Sequence, residues 1–192
     1  IHNYICFLYN YTSIQIQTYP LVGILTMAAN RDAYYTICRE LAITKTALIA
    51  VSKTKPVEDI LELYHLGHRD FGENYVQELV DKEAVLPKDI RWHFIGHLQS
   101  NKVKYIAPFV HLVHGVDSLK LLQEINKQAK KNNRIIDCLL QVYIAKEETK
   151  FGLDEQELEE LVTQLNHQPF ANIRICGLMG MASFTENMET VR

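Results

Sequence analysis

Short apolar runs alternate with amphipathic, helix-like segments along most of the chain, and this alternation constrains the fold more than any other feature. A leading helix is predicted at 31–43, and each of six strand-like runs after it is followed by a helical pattern or the start of one. The predicted strands are 46–52, a short strand within 68–74, 91–96, 110–116, 135–144 and 173–179. Repeated βα units predict a parallel sheet with right-handed crossovers, either doubly wound or closed as a barrel.

The helices that follow these strands have recognisable start and stop residues. Pro56 suits a first helical turn, and Gly67 ends the helix that it begins. Asp117 and Ser118 are N-cap candidates for a helix that runs to about Lys131. A closed eight-stranded barrel usually takes about 250 residues, whereas this chain has 192. If it is a barrel, we expect about six of the eight βα units to be present.

The first 26 residues differ from the rest because they contain no Asp, Glu, Lys or Arg. A secretory signal would need a positively charged start, and a membrane span would need about 20 apolar residues without the polar interruptions seen here. We expect Met27 to be the natural start, 1–26 to be an upstream extension outside the fold, and 27–192 to form one incomplete barrel domain. A targeting segment is the alternative interpretation of 1–26.

The composition is that of a globular protein of a reducing compartment. Hydrophobic residues make up 47% of the chain and the formal net charge is -3, so neither a nucleic-acid partner nor a membrane partner is indicated. The four cysteines, Cys6, Cys38, Cys138 and Cys176, lie far apart and form no CxxC pair, which argues against a zinc ribbon or a disulfide framework. We therefore expect a cytoplasmic protein.

Polar residues are concentrated where the predicted strands end, which is where parallel α/β folds place their reactive groups. The first strand ends in Ser52-Lys53-Thr54-Lys55, followed at once by Pro56. A lysine in this position can be a solvated charge, a phosphate contact, or an amine that forms an imine with an aldehyde. Position alone favours the solvated, flexible cation over the imine-forming amine.

Six motifs, in this order along the chain, resemble the YggS/PROSC family of pyridoxal 5'-phosphate homeostasis proteins. They are AVSKTKP (50–56), FGENYVQE (71–78), WHFIGHLQSNK (92–102), VHGVDS (113–118), KFG (150–152) and GLMGMA (177–182). The resemblance implies a (β/α)₈ TIM-type barrel like the N-terminal domain of alanine racemase, with about six of eight units in this chain. It also implies that pyridoxal 5'-phosphate (PLP) is bound at the mouth of the barrel as a Schiff base.

The resemblance assigns roles to individual residues. The Schiff-base lysine of the family falls on Lys53, and Lys55 would be an accessory cation near the cofactor. Lys150 would be a further lysine at the rim. Asn74 resembles a residue beside the cofactor and Met179 one that lines its pocket, although Asn74 could instead cap the following helix and Met179 could be core. No residue is assigned a catalytic role.

The resemblance further implies a PLP carrier without turnover of its own, which we expect to be a monomer that hands PLP to PLP-dependent apo-enzymes. Family members continue through two more βα units, with segments that bind the cofactor phosphate and the pyridine nitrogen. Because such segments are absent from this sequence, we expect it to bind PLP weakly.

Three alternatives remain open. A racemase-like PLP enzyme would need a second acid/base group, for which Tyr75 or His97 could be proposed. An interaction scaffold without cofactor is the second alternative.

A metal site is the third alternative. Histidines stand at 93 and 97, four apart, and at 111 and 114, three apart. On strands these spacings do not converge simply on one face, so we expect no metal site.

Overall fold

A computed structural model describes residues 31–143, 152–167 and 170–180. The predicted alternation of strands and helices is confirmed in this part of the chain. The elements are α1 (Arg31–Thr44), β1 (Ala50–Val51), α2 (Val57–His65), β2 (Asp70–Glu73), α3 (Val76–Val85), β3 (Arg91–Phe94), a 3₁₀ turn (Ser100–Lys102), α4 (Val103–Ile106), β4 (Leu112–Val116), α5 (Leu119–Lys131), β5 (Ile136–Val142), α6 (Glu155–His167) and β6 (Ile173–Gly180).

The six strands form one parallel sheet in which each strand pairs with its neighbours in sequence, in the order β1-β2-β3-β4-β5-β6. A doubly wound sheet reverses its strand order at a switch point, whereas a barrel adds strands in sequence. The observed order therefore selects the barrel-type interpretation over the doubly wound one.

The sheet buries apolar residues on both faces, as parallel sheets do. The larger cluster joins strand residues such as Phe71, Trp92 and Phe94 to helix residues such as Leu79 and Ile125. A smaller cluster on the other face contains Leu112, Leu139 and Met179. The first cluster holds the helices against the sheet, and it fixes where the carboxyl ends of the strands lie.

Two predicted elements differ most from the structure. The first strand was predicted at 46–52, but only Ala50–Val51 is strand, because only these two residues are in register with β2, opposite Phe71 and Gly72. The sequence also predicts one helix at 100–109, ended by Pro108, but the structure has a 3₁₀ turn followed by the four residues Val103–Ile106. The prediction that Ser118 caps α5 is confirmed, because its Oγ accepts a hydrogen bond from the backbone N–H of Leu121 at 3.4 Å.

None of the helices in the described residues could cross a membrane. The longest, α1, has 14 residues, whereas a span needs about 20 apolar ones.

Candidate functional site

Lys53 lies in a tight turn that directly follows β1. Ser52 extends the pairing with β2, since its N–H donates to the carbonyl of Gly72 at 2.9 Å, and the N–H of Lys55 closes the turn on the carbonyl of Ser52 at 3.0 Å. Thr54 has a positive φ of 61°, which is unusual for a β-branched residue. The turn presents a partly buried Lys53 at the carboxyl end of the sheet.

A buried ionic cluster, which we call the Lys82 cluster, is hydrogen-bonded to the backbone of this turn. It consists of Glu73 at the end of β2 and Glu78 and Lys82 on α3, one helical turn apart. Lys82 Nζ lies 2.7 Å from Glu73 Oε1 and 2.6 Å from Glu78 Oε1. The Glu73 side chain is fully buried, and its burial raises the pKa of this carboxyl despite the opposing hydrogen bonds from Lys82 and Ser52.

Asn74 follows Glu73 at the same edge of the sheet, and its side chain has an unmet hydrogen-bonding capacity. Its Oδ1 is buried and has no hydrogen-bond partner in the described structure, and the same holds for Glu73 Oε2. The proposed capping role of Asn74 is wrong, because the N-cap of α3 is Tyr75 and no side chain caps that helix. A buried oxygen without a donor is costly, so Asn74 Oδ1 is a candidate ligand contact.

The end of β3 packs closely against the backbone of Asn74. A Cβ atom added at Gly96 would lie 2.3 Å from the Asn74 carbonyl oxygen, which no real side chain tolerates. The glycine is therefore required by close backbone approach, and it fixes where Asn74 lies relative to β3.

The other residues assigned from the family resemblance lie in different surroundings. Lys55 is exposed at the end of the Lys53 turn. Met179, at the carboxyl end of β6, packs in the small apolar cluster with Leu112 and Leu139, so it has a core role whether or not it also contacts a ligand. Lys150 lies outside the described residues.

The two acid/base candidates also lie at carboxyl ends of strands. Tyr75 is 60% exposed. His97 Nδ1 lies 3.2 Å from Asp117 Oδ2, so the loops after β3 and β4 are joined by a histidine–carboxylate contact.

A second polar cluster, which we call the histidine cluster, lies within the sheet itself and is buried at its two histidines, partly buried at Asp70 and exposed at Arg91. Its members are Asp70, Arg91, His93 and His114. His93 Nδ1 lies 3.0 Å from His114 Nε2, and His93 Nε2 lies 3.1 Å from Asp70 Oδ1. Arg91 donates two hydrogen bonds to the Asp70 carboxylate, at 2.6 and 2.5 Å.

This cluster corrects one step of the sequence argument. Histidines within one strand do not converge, but His93 and His114 come from adjacent strands and are in contact. In the described part of the chain, no group of three or more His, Cys, Asp or Glu side chains could hold a metal ion.

Burial sets the direction of the pKa shift of His114, whereas hydrogen bonds outweigh burial at Asp70. Burial, with the nearby rings of His93 and His111, lowers the pKa of His114 to about 3. Burial alone would raise the pKa of Asp70, but its hydrogen bonds to Arg91 and His93 outweigh that effect and hold the pKa well below its ordinary value. His114 is therefore neutral at neutral pH, and its Nδ1 is buried without a partner.

The sequence analysis missed the Lys82 cluster. One local signal was available, namely a glutamate and a lysine four residues apart at 78 and 82. Nothing local shows that Lys82 is buried or that it reaches Ser52, 30 residues earlier in the chain.

The comparison with protein families decides the classification. The family model of the alanine racemase N-terminal domain matches residues 27–191. The chain belongs to this family. The pyridoxal phosphate homeostasis protein of Aquifex aeolicus is 44% identical over 146 residues, which are 76% of this chain and 63% of that protein. The human pyridoxal phosphate homeostasis protein is 36% identical over 181 residues, 88% of this chain and 65% of that one.

Both relatives confirm the resemblance to the YggS/PROSC family, and the chain spans less than two thirds of their length. The TIM-type fold is confirmed by solved structures. PipY of Synechococcus elongatus PCC7942 without PLP has a TM-score of 0.77 at 33% identity, covering 83% of this chain and 74% of PipY. PipY with PLP bound has a TM-score of 0.71 at 34% identity, covering 80% and 71%. Alanine racemase from Bartonella henselae has a TM-score of 0.59 at 19% identity over 77% of this chain and 40% of that one, and shares the fold.

Proposed function

We propose that this chain binds PLP covalently through Lys53 and serves intracellular PLP homeostasis. The observations that carry the proposal are the Lys53 turn at the carboxyl end of β1 and the unpartnered Oδ1 of Asn74 at the adjoining end of β2. Support comes from the similarity to PipY, whose structure is known with PLP bound, and to proteins named pyridoxal phosphate homeostasis protein.

The described residues fit a PLP molecule in three respects. Lys53 is partly buried and Lys55 exposed, so an amine and a second cation are within one turn, which suits an anionic aldehyde. Asn74 Oδ1 is a buried hydrogen-bond acceptor without a donor, so a protonated ligand group would satisfy it. Met179 supplies an apolar side chain at the end of β6.

PLP supplies an aldehyde that condenses with a primary amine, forming one C=N bond and releasing one water. The chain's contribution is to hold the Nζ of Lys53 at the barrel mouth on a fixed turn. Lys55, Asn74 and Met179 would bind and orient the ligand without taking part in bond formation.

The test is to incubate the full chain with PLP, reduce with borohydride and map the labelled peptide. We expect one major label on Lys53. Lys53→Arg, which keeps the charge but not the reactive amine, should remove it, whereas Lys55→Met, which removes the second positive charge, should keep the label on Lys53 with weaker PLP binding. Equal labelling of many lysines in all three proteins would refute the assignment.

The cellular role follows from reversible binding. A carrier that releases PLP should transfer it to a PLP-dependent apo-enzyme, and we propose that such apo-enzymes are the partners of a monomeric, cytoplasmic protein. Mixing the loaded chain with an apo-aminotransferase should restore aminotransferase activity faster than Lys53→Arg protein that has been incubated with the same amount of PLP. Equal rates for both would argue against transfer from Lys53.

The contact between His97 and Asp117 favours racemase-like turnover as a second candidate. A histidine oriented by a carboxylate is a common general acid/base. Incubating the PLP-loaded chain with L-alanine in D₂O tests it, because racemisation exchanges the Cα proton for deuterium. We expect no exchange above that of PLP alone; exchange that disappears in His97→Gln would establish turnover.

A further inference from the structure

Lys82 uses its whole hydrogen-bonding capacity on three oxygens. Its ammonium donates to Ser52 O at 2.7 Å, to Glu73 Oε1 at 2.7 Å and to Glu78 Oε1 at 2.6 Å. An ammonium has three protons, and the Lys82 side chain is only 7% exposed. The Lys82 ammonium is therefore held in one arrangement, with no proton left for another partner.

Two bonds of the Lys82 cluster end on the backbone on either side of Lys53. Lys82 holds the carbonyl of Ser52, and Glu78 Oε1 accepts the N–H of Thr54 at 2.6 Å. The peptide groups that flank Lys53 are thus both held by α3, which is 20 or more residues away in sequence.

The turn needs such support because one of its residues is strained. Thr54 has a φ of 61°, and a β-branched residue in the left-handed region persists only where its surroundings impose it. The bond from its N–H to Glu78 is one such constraint, and the Lys55 N–H to Ser52 carbonyl bond is another.

A buried ion cluster is a poor means of gaining stability alone. Desolvation offsets most of the attraction, and apolar residues of similar volume often stabilise a protein equally well or better. The hydrogen bonds to Ser52 and Thr54 supply something that apolar packing cannot, namely a defined backbone conformation around one side chain.

We propose that Lys82 and Glu78 are positioning residues that hold the turn in the conformation that presents the amine of Lys53 to its ligand. The expected effect on ligand binding rests on the proposed PLP function, whereas the expected effect on the turn conformation does not. Both act through the backbone of residues 52 to 54, to which they are hydrogen-bonded.

The first experiment measures the turn without PLP. Amide hydrogen exchange of Thr54 and Lys55 is compared in the wild-type chain and in its Lys82→Met and Lys88→Met variants. Lys88 is the matched control, because it also pairs with a glutamate, Glu83, at 2.8 Å, but is exposed and makes no contact with the turn.

We expect Lys82→Met to speed exchange at Thr54 and Lys55 by about tenfold or more, and Lys88→Met to leave it unchanged. Since Lys82→Met leaves Glu73 buried without its cation, Lys82→Met/Glu73→Gln serves as the variant that folds without a buried unpaired charge. Unchanged exchange in the double variant would overturn the proposal.

The second experiment measures the rate of borohydride-trapped PLP label on Lys53. Glu78→Ala should slow it by about tenfold, and Glu78→Gln should recover part of the loss, because the amide oxygen still accepts the Thr54 N–H. Equal slowing by Glu78→Ala and Glu78→Gln would show that only charge matters and would overturn the positioning role.

The two experiments separate the two proposals. If wild-type Lys53 takes no label, the PLP function fails for this chain, and the exchange measurement alone decides whether Lys82 and Glu78 hold the turn. If Lys53 is labelled equally fast in every variant, the PLP function stands and the positioning role is refuted.

Discussion

The two polar clusters differ in what their hydrogen bonds end on. In the histidine cluster, Asp70, Arg91, His93 and His114 bond to one another, side chain to side chain, within the sheet. In the Lys82 cluster, side chains end on the backbone of the Lys53 turn. The first arrangement pairs polar groups that the sheet buries, with the exception of His114 Nδ1, whereas the second also fixes a loop at the edge where the candidate site lies.

The clusters also differ in how far their cations are buried. The Lys82 side chain is 7% exposed, while that of Arg91 is 48% exposed. Water can replace Arg91 at Asp70, but little water can replace Lys82 at Glu73. Removing each cation in turn therefore tests whether its burial decides how much the cluster contributes to stability.

We expect the largest effect from Lys82→Met, which should lower the free energy of unfolding by about 3–5 kcal/mol, because it leaves the buried Glu73 carboxylate unpaired. Arg91→Met should cost only about 1 kcal/mol or less, because its ion pair is partly exposed. Urea unfolding of both variants checks this.

The double variant Lys82→Met/Glu73→Leu is the control for that result, because it removes both buried charges. It should recover a large part of the lost stability. Equal destabilisation by Lys82→Met and Arg91→Met would show that the burial of the cation does not determine the stability that each cluster contributes.

The pH dependence of stability should separate the clusters next. The folded pKa of His114 is about 3, against about 6.5 in the unfolded chain. Between these values the unfolded state binds a proton that the folded state does not, so stability falls as the pH drops below 6.5. From pH 6.5 to 5 this one group should cost about 2 kcal/mol.

His114→Leu should remove that part of the pH dependence, measured as the difference in urea midpoint between pH 6.5 and pH 5. The pKa values of His68 and His111 are also lowered, mainly by burial, so some dependence of the same sign should remain. Wild type and variant with identical pH slopes would contradict the assignment of a neutral, buried His114.

The fold was predictable from the sequence because its signals are local. Apolar runs alternate with helical periodicity, and Ser118 caps α5 through its own neighbours. Parallel strands follow from the long crossovers between them. The short β1 was not predictable, since its length depends on how much of β2 lies beside it.

The candidate site was only partly predictable. Lys53, Lys55 and Asn74 were assigned from motifs, and the structure places all three at the adjoining ends of β1 and β2. Their role in binding PLP stays a prediction. The contact between Lys82 and Ser52 and that between His93 and His114 join residues 30 and 21 positions apart, and no local pattern reports such a distance.

The smallest expected effect tests whether the Lys53 turn is held under strain. Thr54→Gly removes a Cβ that costs about 1–2 kcal/mol in the left-handed region, but glycine also gains about 0.5–1 kcal/mol of freedom in the unfolded chain. The variant should therefore differ from wild type by about 1 kcal/mol or less, in the stabilising direction. Thr54→Val, which keeps the branched side chain, should not be stabilised. If Thr54→Gly were instead destabilised by several kcal/mol, the threonine side chain itself would be holding the turn, and the backbone bonds from the Lys82 cluster would be secondary to it.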